Sequence, residues 1–226
     1  MTELILALDV PSPEDADRLL VRIPDVRWVK VGSVLYTGAG PSLVAGLKDR
    51  GYRVFLDLKW HDIPNTVVGA VRHARAIGAD MVTVHTLGGR PMMAAAKEAA
   101  GPDLAVVGVT ALTSHDSAGF AEILGRAEVD LTAEVERLAD LARAAGIDGV
   151  VSSPLETARL RSRLGPTMLL VTPGIRGAGE RAGDQARTAS AGDAARAGST
   201  HLVVGRPVLE AADPAAAWAT LAAEIR

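Results

Sequence analysis

Eight times along this chain a short apolar, β-branched run gives way to a stretch rich in Ala, Arg and Glu at helical spacing. The strand-like runs are Leu4–Asp9, Arg27–Gly32, Arg53–Lys59, Asp80–His85, Leu104–Thr110, Asp148–Ser152, Met168–Thr172 and His201–Arg206. Helical spacing marks the segments between them, among them Pro13–Ile23, Pro41–Arg50, Thr66–Ile77 and Leu131–Ala145. Several helices run into a glycine just before the next strand (Gly51, Gly78, Gly146, Gly198), where a helix C-cap belongs. Eight such units in 226 residues, with no linker or low-complexity segment between them, imply one α/β domain over residues 1–226, a single (β/α)8 TIM barrel. A doubly wound open sheet is the competing topology, but no Gly-x-Gly-x-x-Gly follows the first strand. Ser114–Gly125 reads as an extra loop and short helix after strand five.

The composition agrees with helices packed on a parallel sheet. Hydrophobic residues make up 48% and aromatics only 3%, so the core must be built from Ala, Val and Leu. The net charge of −3 is spread over interspersed acids and bases, which gives no basic face for nucleic acid or membrane. Cysteine is absent, so disulfides, thiolate metal sites and a Cys nucleophile are excluded. Met1-Thr2-Glu3-Leu4 enters a strand directly, without the basic stretch and cleavage site of a signal peptide, and no apolar run reaches the roughly 18 residues of a membrane span. The expected location is the cytoplasm.

A barrel of this kind carries its chemistry at the C-terminal ends of its strands. Asp9, Lys30, Asp57, Lys59, His85, Thr113 and Arg206 all fall at such ends or a few residues beyond. The densest run is Asp57-Leu58-Lys59-Trp60-His61-Asp62-Ile63-Pro64-Asn65-Thr66. Side chains alternate along a strand, so Asp57 and Lys59 share a face, and Asp62 is expected to join them where the strand stops. In strand two the same alternation puts Trp28 and Lys30 on one face, and in strand one Ile5, Ala7 and Asp9. Asp9, Lys30, Asp57, Lys59 and Asp62 thus form a set of alternating charges in one barrel mouth. Burying such charges is costly unless they neutralise one another or a ligand.

Two segments have the makings of a phosphate site. Val203-Val204-Gly205-Arg206-Pro207 closes strand eight and opens a helix; the glycine admits an anion to backbone N–H groups and the arginine adds a forked donor. After strand seven comes a long Gly-rich loop, residues 172–185, carrying Arg176 and Gln185 and suited to closing over a ligand.

Taken together, Asp57-x-Lys59-x-His61-Asp62-Ile63-Pro64-Asn65-Thr66, the opening around Asp9, Lys30-Val31-Gly32, Leu112-Thr113-Ser114, Thr172-Pro173-Gly174-Ile175-Arg176 with Gln185, and Gly205-Arg206 resemble the orotidine 5′-monophosphate decarboxylase family, bacterial type, in collinear order over essentially the whole chain. Two positions depart from it: Trp60 stands where Leu or Phe is expected, and Val34 where relatives often carry an acid. The resemblance implies loss of CO2 from C6 of the nucleotide's pyrimidine, giving UMP, with no metal and no organic cofactor. It implies Lys59 as proton donor to C6, Asp57 facing the departing carboxylate, and Asp9 and Lys30 on the ribose, Lys30 also fixing Asp57. Thr113 would lie at the pyrimidine edge, and Arg176, Gln185, Gly205 and Arg206 around the phosphate. Asp62, Ile63 and Thr66 would reach into a neighbouring subunit's site, which implies a homodimer.

Two alternatives stay open at this point. A hexulose- or gulonate-phosphate lyase would share the Asp-x-Lys-x-x-Asp strand end but use Mg²⁺, and a catalytically retired barrel would only bind a nucleotide. Metal binding through His61, His73, His85, His115 and His201 has no recognised ligand spacing behind it.

Overall fold

A computed structural model describes residues 2–176 and 188–226. Its first half runs β1 (Glu3–Ala7), α1 (Pro13–Arg22), β2 (Trp28–Gly32), α2 (Ser33–Ala39), α3 (Pro41–Asp49), β3 (Arg53–Trp60), α4 (Pro64–Ala76), β4 (Met81–His85), α5 (Gly89–Ala100) and β5 (Ala105–Val109). The second continues with α6 (Ser117–Leu124), α7 (Leu131–Ala144), β6 (Gly149–Val151), α8 (Thr157–Leu164), β7 (Leu169–Thr172), α9 (Ala191–Arg196), β8 (His201–Val204), α10 (Arg206–Leu209) and α11 (Pro214–Glu224). Each strand pairs in parallel with the next, and β8 pairs with β1, so the sheet closes into the eight-stranded barrel expected from the alternation.

Strand alternation divides the core into two layers. One face of each strand packs against the surrounding helices through residues such as Leu6, Val29, Val54, Val82, Val106 and Leu202. The other face fills the barrel with Ile5, Trp28, Phe55, Met81, Val107 and Val171. Burying a side chain of this size contributes about 1.5–3 kcal/mol. The small number of aromatics is therefore no handicap: Phe55 and Trp28 plug the interior, and aliphatic residues supply the rest. At Gly149 a Cβ would sit 2.3 Å from the Leu169 carbonyl oxygen, so any side chain there would force β6 and β7 apart.

Helix ends follow local chemistry. Ser12 accepts from the Asp15 N–H at 3.1 Å, and the Asp130 carboxylate accepts from Thr132 and Ala133. Gly51, Gly78, Gly146 and Gly198 all take positive φ, as the C-terminal stops require. The short helix foreseen within Ser114–Gly125 is α6, capped by Asp116. Several boundaries differ from the sequence reading. β1 stops at Ala7, leaving Asp9 beyond the strand, β6 keeps only three residues, and α4 begins at Pro64 rather than Thr66. Proline suits that first helical position because its missing N–H would have no helical partner there. Helix α2 has no counterpart among the helical segments read from sequence; it follows β2 directly and buries only Leu35.

Candidate active site

β3 is not a regular strand at its C-terminal end. Leu56 is level with Val82 and Trp60 with Val84, so Asp57, Leu58 and Lys59 together stand opposite Thr83 alone. This bulge carries Lys59 at φ +52°, the only positive φ at a non-glycine among the described residues. For an L-residue with a long side chain that conformation costs about 1–2 kcal/mol. Bulges re-aim side chains, and here Asp57 and Lys59 both face the barrel mouth, with Lys59 Nζ 2.8 Å from Asp57 Oδ2. Trp60 packs the opposite way, against the helix-side core, as the alternation implied.

Lys30, reaching up from β2, is nearly buried and ties the mouth together: its Nζ donates to Asp9 Oδ1 at 2.8 Å and lies 3.9 Å from Asp57 Oδ2. A Cβ on Gly32 would stand 3.1 Å from Lys30 Nζ and 3.5 Å from Asp9 Oδ1, so the bare glycine leaves that pair room to form. Carboxylate, ammonium, carboxylate and ammonium therefore run in order from Asp9 through Lys30 and Asp57 to Lys59. Each charge lies beside its opposite, which offsets part of the desolvation cost of holding them at the mouth.

These four side chains line a cavity of about 500 Å³. Thr113, Arg176, Gly205 and Arg206 line the same cavity, so residues expected at opposite ends of one ligand border one space. Arg176 lies just after Ile175, which bridges to Ala189, and its guanidinium donates to the Ile175 carbonyl at 2.9 Å. Gly205 caps α10, from which Arg206 enters the cavity wall. A smaller recess of about 320 Å³ adjoins the cavity through Asp9, Lys30, Asp57 and Lys59, and Val34 lies exposed on its rim.

Three of the expected residues are not brought into this cavity. Asp62, Ile63 and Thr66 are exposed, and Asp62 Oδ1 accepts instead from the Ile63 N–H at 2.6 Å. The expectation that Asp62 converges with Asp57 and Lys59 within one chain is therefore corrected. Pairwise alternation does not extend past the strand, and the chain turns outward into α4 at Pro64. Gln185 lies outside the described residues.

Two contributors escaped the sequence reading or were left without a role. Thr83, fully buried inside the barrel, donates from Oγ1 to Asp57 Oδ1 at 3.0 Å and accepts the Lys59 N–H at 2.8 Å. Its only signal in sequence is a polar residue on the Met81 and His85 face of an otherwise apolar strand. His85, ending β4, stacks obliquely with His61 at 5.6 Å between ring centroids. Burial holds its pKa below the ordinary histidine value, helped by the nearby charges of His61 and Lys59 and opposed by Asp57.

Comparison with known proteins settles the family. Residues 2–221 match the model of the orotidine 5′-phosphate decarboxylase / HUMPS family. The chain belongs to that family. Among its relatives is the orotidine 5′-phosphate decarboxylase of Alkalilimnicola ehrlichii, 53% identical over 99% of this chain and 96% of the relative. That of Halorhodospira halophila is 52% identical over 98% and 95%. In three dimensions the chain resembles the crystal structure of orotidine 5′-phosphate decarboxylase from Lactobacillus acidophilus, with a TM-score of 0.88, 35% identity and full coverage of both chains. The family resemblance drawn from strand-end residues and the (β/α)8 fold are both borne out.

Proposed function

We propose that the chain is a cofactor-independent carboxy-lyase that converts orotidine 5′-monophosphate to UMP and CO2 in pyrimidine biosynthesis, with residues 1–226 acting as one catalytic domain. The observation that carries this reading is the Lys59 ammonium, 2.8 Å from the Asp57 carboxylate on a bulged strand end, lining one cavity with Arg176 and Arg206. A nucleotide fits that polarity. Its phosphate would lie toward Arg176, Gly205 and Arg206, with Gln185 added from outside the described residues. Its ribose would meet Asp9 and Lys30, and its base Thr113.

In the reaction the C6–carboxylate bond breaks, CO2 leaves, and the electron pair remains at C6. Lys59 stabilises that pair and delivers a proton to it, giving UMP. Asp57 stands where the substrate carboxylate would approach. Two like charges about 4 Å apart repel by about 4 kcal/mol at an effective dielectric near 20. That contributes to the roughly 8–23 kcal/mol by which enzymes lower barriers without accounting for it alone, so the larger share falls to the developing carbanion's interaction with Lys59. Phosphate contacts remote from C6 would supply binding energy that holds the ring against Lys59.

The reading includes a homodimer with shared sites. Asp62, Ile63 and Thr66 are exposed and turned out of their own cavity, and Ile63 is 67% exposed, which suits residues that enter a partner subunit's site. Mixing inactive Lys59→Ala with inactive Asp62→Ala subunits should then restore part of the activity, because one site of the mixed dimer receives both intact residues. No recovery after proven subunit exchange would remove the shared site. The cytoplasmic location is part of the same proposal; among the described residues no helix is long and apolar enough to cross a membrane.

Stoichiometric UMP and CO2 from orotidine 5′-monophosphate in excess chelator tests the activity itself. A rate abolished by chelator and restored by Mg²⁺ would favour a sugar-phosphate lyase of the same barrel group.

A further inference from the structure

We propose that Thr83 is a positioning residue for the reaction, a single hydroxyl that holds both the backbone of Lys59 and the carboxylate of Asp57. The inference rests on the reading of Lys59 and Asp57 as the reacting pair.

The β3 bulge creates a problem that a regular strand would not have. Three β3 residues stand opposite one β4 residue, so the ladder cannot supply a carbonyl to every β3 N–H. The Lys59 N–H is answered by Thr83 Oγ1 at 2.8 Å instead. The same oxygen donates its proton to Asp57 Oδ1 at 3.0 Å. Donor and acceptor roles are thereby fixed: the hydroxyl has one proton, the carboxylate only accepts, and the amide only donates.

One oxygen thus bridges the two ends of the Asp57–Lys59 unit from below. It favours the left-handed backbone that lifts Lys59 into the mouth, and it occupies Oδ1 of Asp57 so that Oδ2 faces Lys59 Nζ, at 2.8 Å. Thr83 has no exposed surface and does not border the cavity, so it acts through its neighbours rather than on a ligand. Serine would keep the bridge, and valine would keep the shape while deleting it.

The test compares Thr83→Val, Thr83→Ser and Lys59→Ala with the unmodified protein, each normalised to folded protein by circular dichroism. Misplacing a reacting group by about 1 Å costs up to ~100-fold. Thr83→Val is therefore expected to lower kcat on orotidine 5′-monophosphate by ~10–100-fold, with KM within ~2-fold. Thr83→Ser should stay close to the unmodified enzyme. A purely structural threonine would lower stability and leave kcat of the folded molecules alone. If Thr83→Val does not fold, Thr83→Ala against Thr83→Ser asks the same question of the hydroxyl. Normal kcat for the valine variant beside an inactive Lys59→Ala overturns this inference alone, as does a serine variant no better than valine. Normal turnover by Lys59→Ala overturns the catalytic reading and this inference with it.

Discussion

The two ends of the barrel use the same residue types for opposite ends. At the N-terminal floor, Asp80, just before β4, accepts the Val54 N–H at 2.7 Å and Lys48 Nζ at 2.6 Å. Asp148, just before β6, repeats the arrangement with Val106 N–H and Lys97 Nζ, both at 2.8 Å. Thr200, just before β8, takes the Leu170 N–H at 2.9 Å, while Arg161 serves the carbonyls of Gly165, Met168 and Gly198. Each staple ties a helix end and two strands together, and none of these residues lines the mouth cavity. At the C-terminal mouth, Asp9, Lys30, Asp57 and Lys59 also pair, but they do so along the wall of a cavity, Asp57 and Lys59 on a bulged strand with a left-handed residue. Floor pairing completes the strand ladder; mouth pairing leaves its charges on the wall of an open cavity. A larger recess at the floor, about 1010 Å³ between the start of β1 and α11, has no comparable converging set, so size alone does not mark the site.

That contrast is broken or sharpened by substitution. Apart from loss of Lys59 itself, the largest expected effect is also at the mouth. Arg206→Ala should cost on the order of 1.5–3 kcal/mol in kcat/KM for the nucleotide, the value of a hydrogen bond to a charged group, or roughly 10–150-fold. The phosphate-free nucleoside should lose far less. Equal losses for both substrates would place Arg206 in the support of the fold and move the phosphate elsewhere.

At the floor the effect is expected in stability rather than in turnover. Asp80→Ala strips a partner from both Lys48 and the Val54 N–H, and should lower stability by about 1.5–3 kcal/mol in urea unfolding. The kcat per folded molecule should not change. A variant as stable as the original, or a folded one with impaired kcat, would dissolve the division between the ends.

A smaller effect follows from histidine burial at the floor. His201 contacts Trp28 edge-on at 5.3 Å between ring centroids, and burial lowers its pKa, Arg53 adding to the effect and Glu3 opposing it. The unfolded chain therefore takes up a proton more readily than the folded one. The stability associated with a neutral His201 is fully present above the ordinary histidine value of about 6.5 and is lost as pH falls below it toward the depressed folded pKa. The urea midpoint should drop between pH 7.5 and 5.5, and His201→Gln should flatten that drop. An unaltered slope in the variant would assign the pH dependence to other groups, His85 at the mouth first.

How much of this was legible in the sequence differs between the same two regions. The barrel and the mouth charges were readable because strand and helix periods are local, and because Asp57, Lys59 and Arg206 lie at places where apolar runs stop. The β3 bulge was not, since alternation assumes a regular strand; the prediction that Asp57 and Lys59 share a face came out right over a backbone it did not describe. Thr83 stayed hidden for the same reason. Asp62 was misplaced because its own chain turns outward at Pro64. The floor staples join residues 32 and 51 positions apart, Lys48 with Asp80 and Lys97 with Asp148; a Gly-x-Asp repeats before β4 and β6, as Gly78-Ala79-Asp80 and Gly146-Ile147-Asp148, but nothing local in it names the distant lysine partner.

The most direct measurement is the loss of orotidine 5′-monophosphate absorbance by folded Lys59→Ala beside the unmodified protein. General acid catalysis by a positioned side chain is worth typically 10²–10⁴-fold. With the carbanion's electrostatic partner removed as well, the variant should fall by at least about 10³-fold while its urea midpoint stays close to the original. Near-normal decay by a folded Lys59→Ala protein would contradict the assignment of the barrel mouth as the place where C6 is protonated.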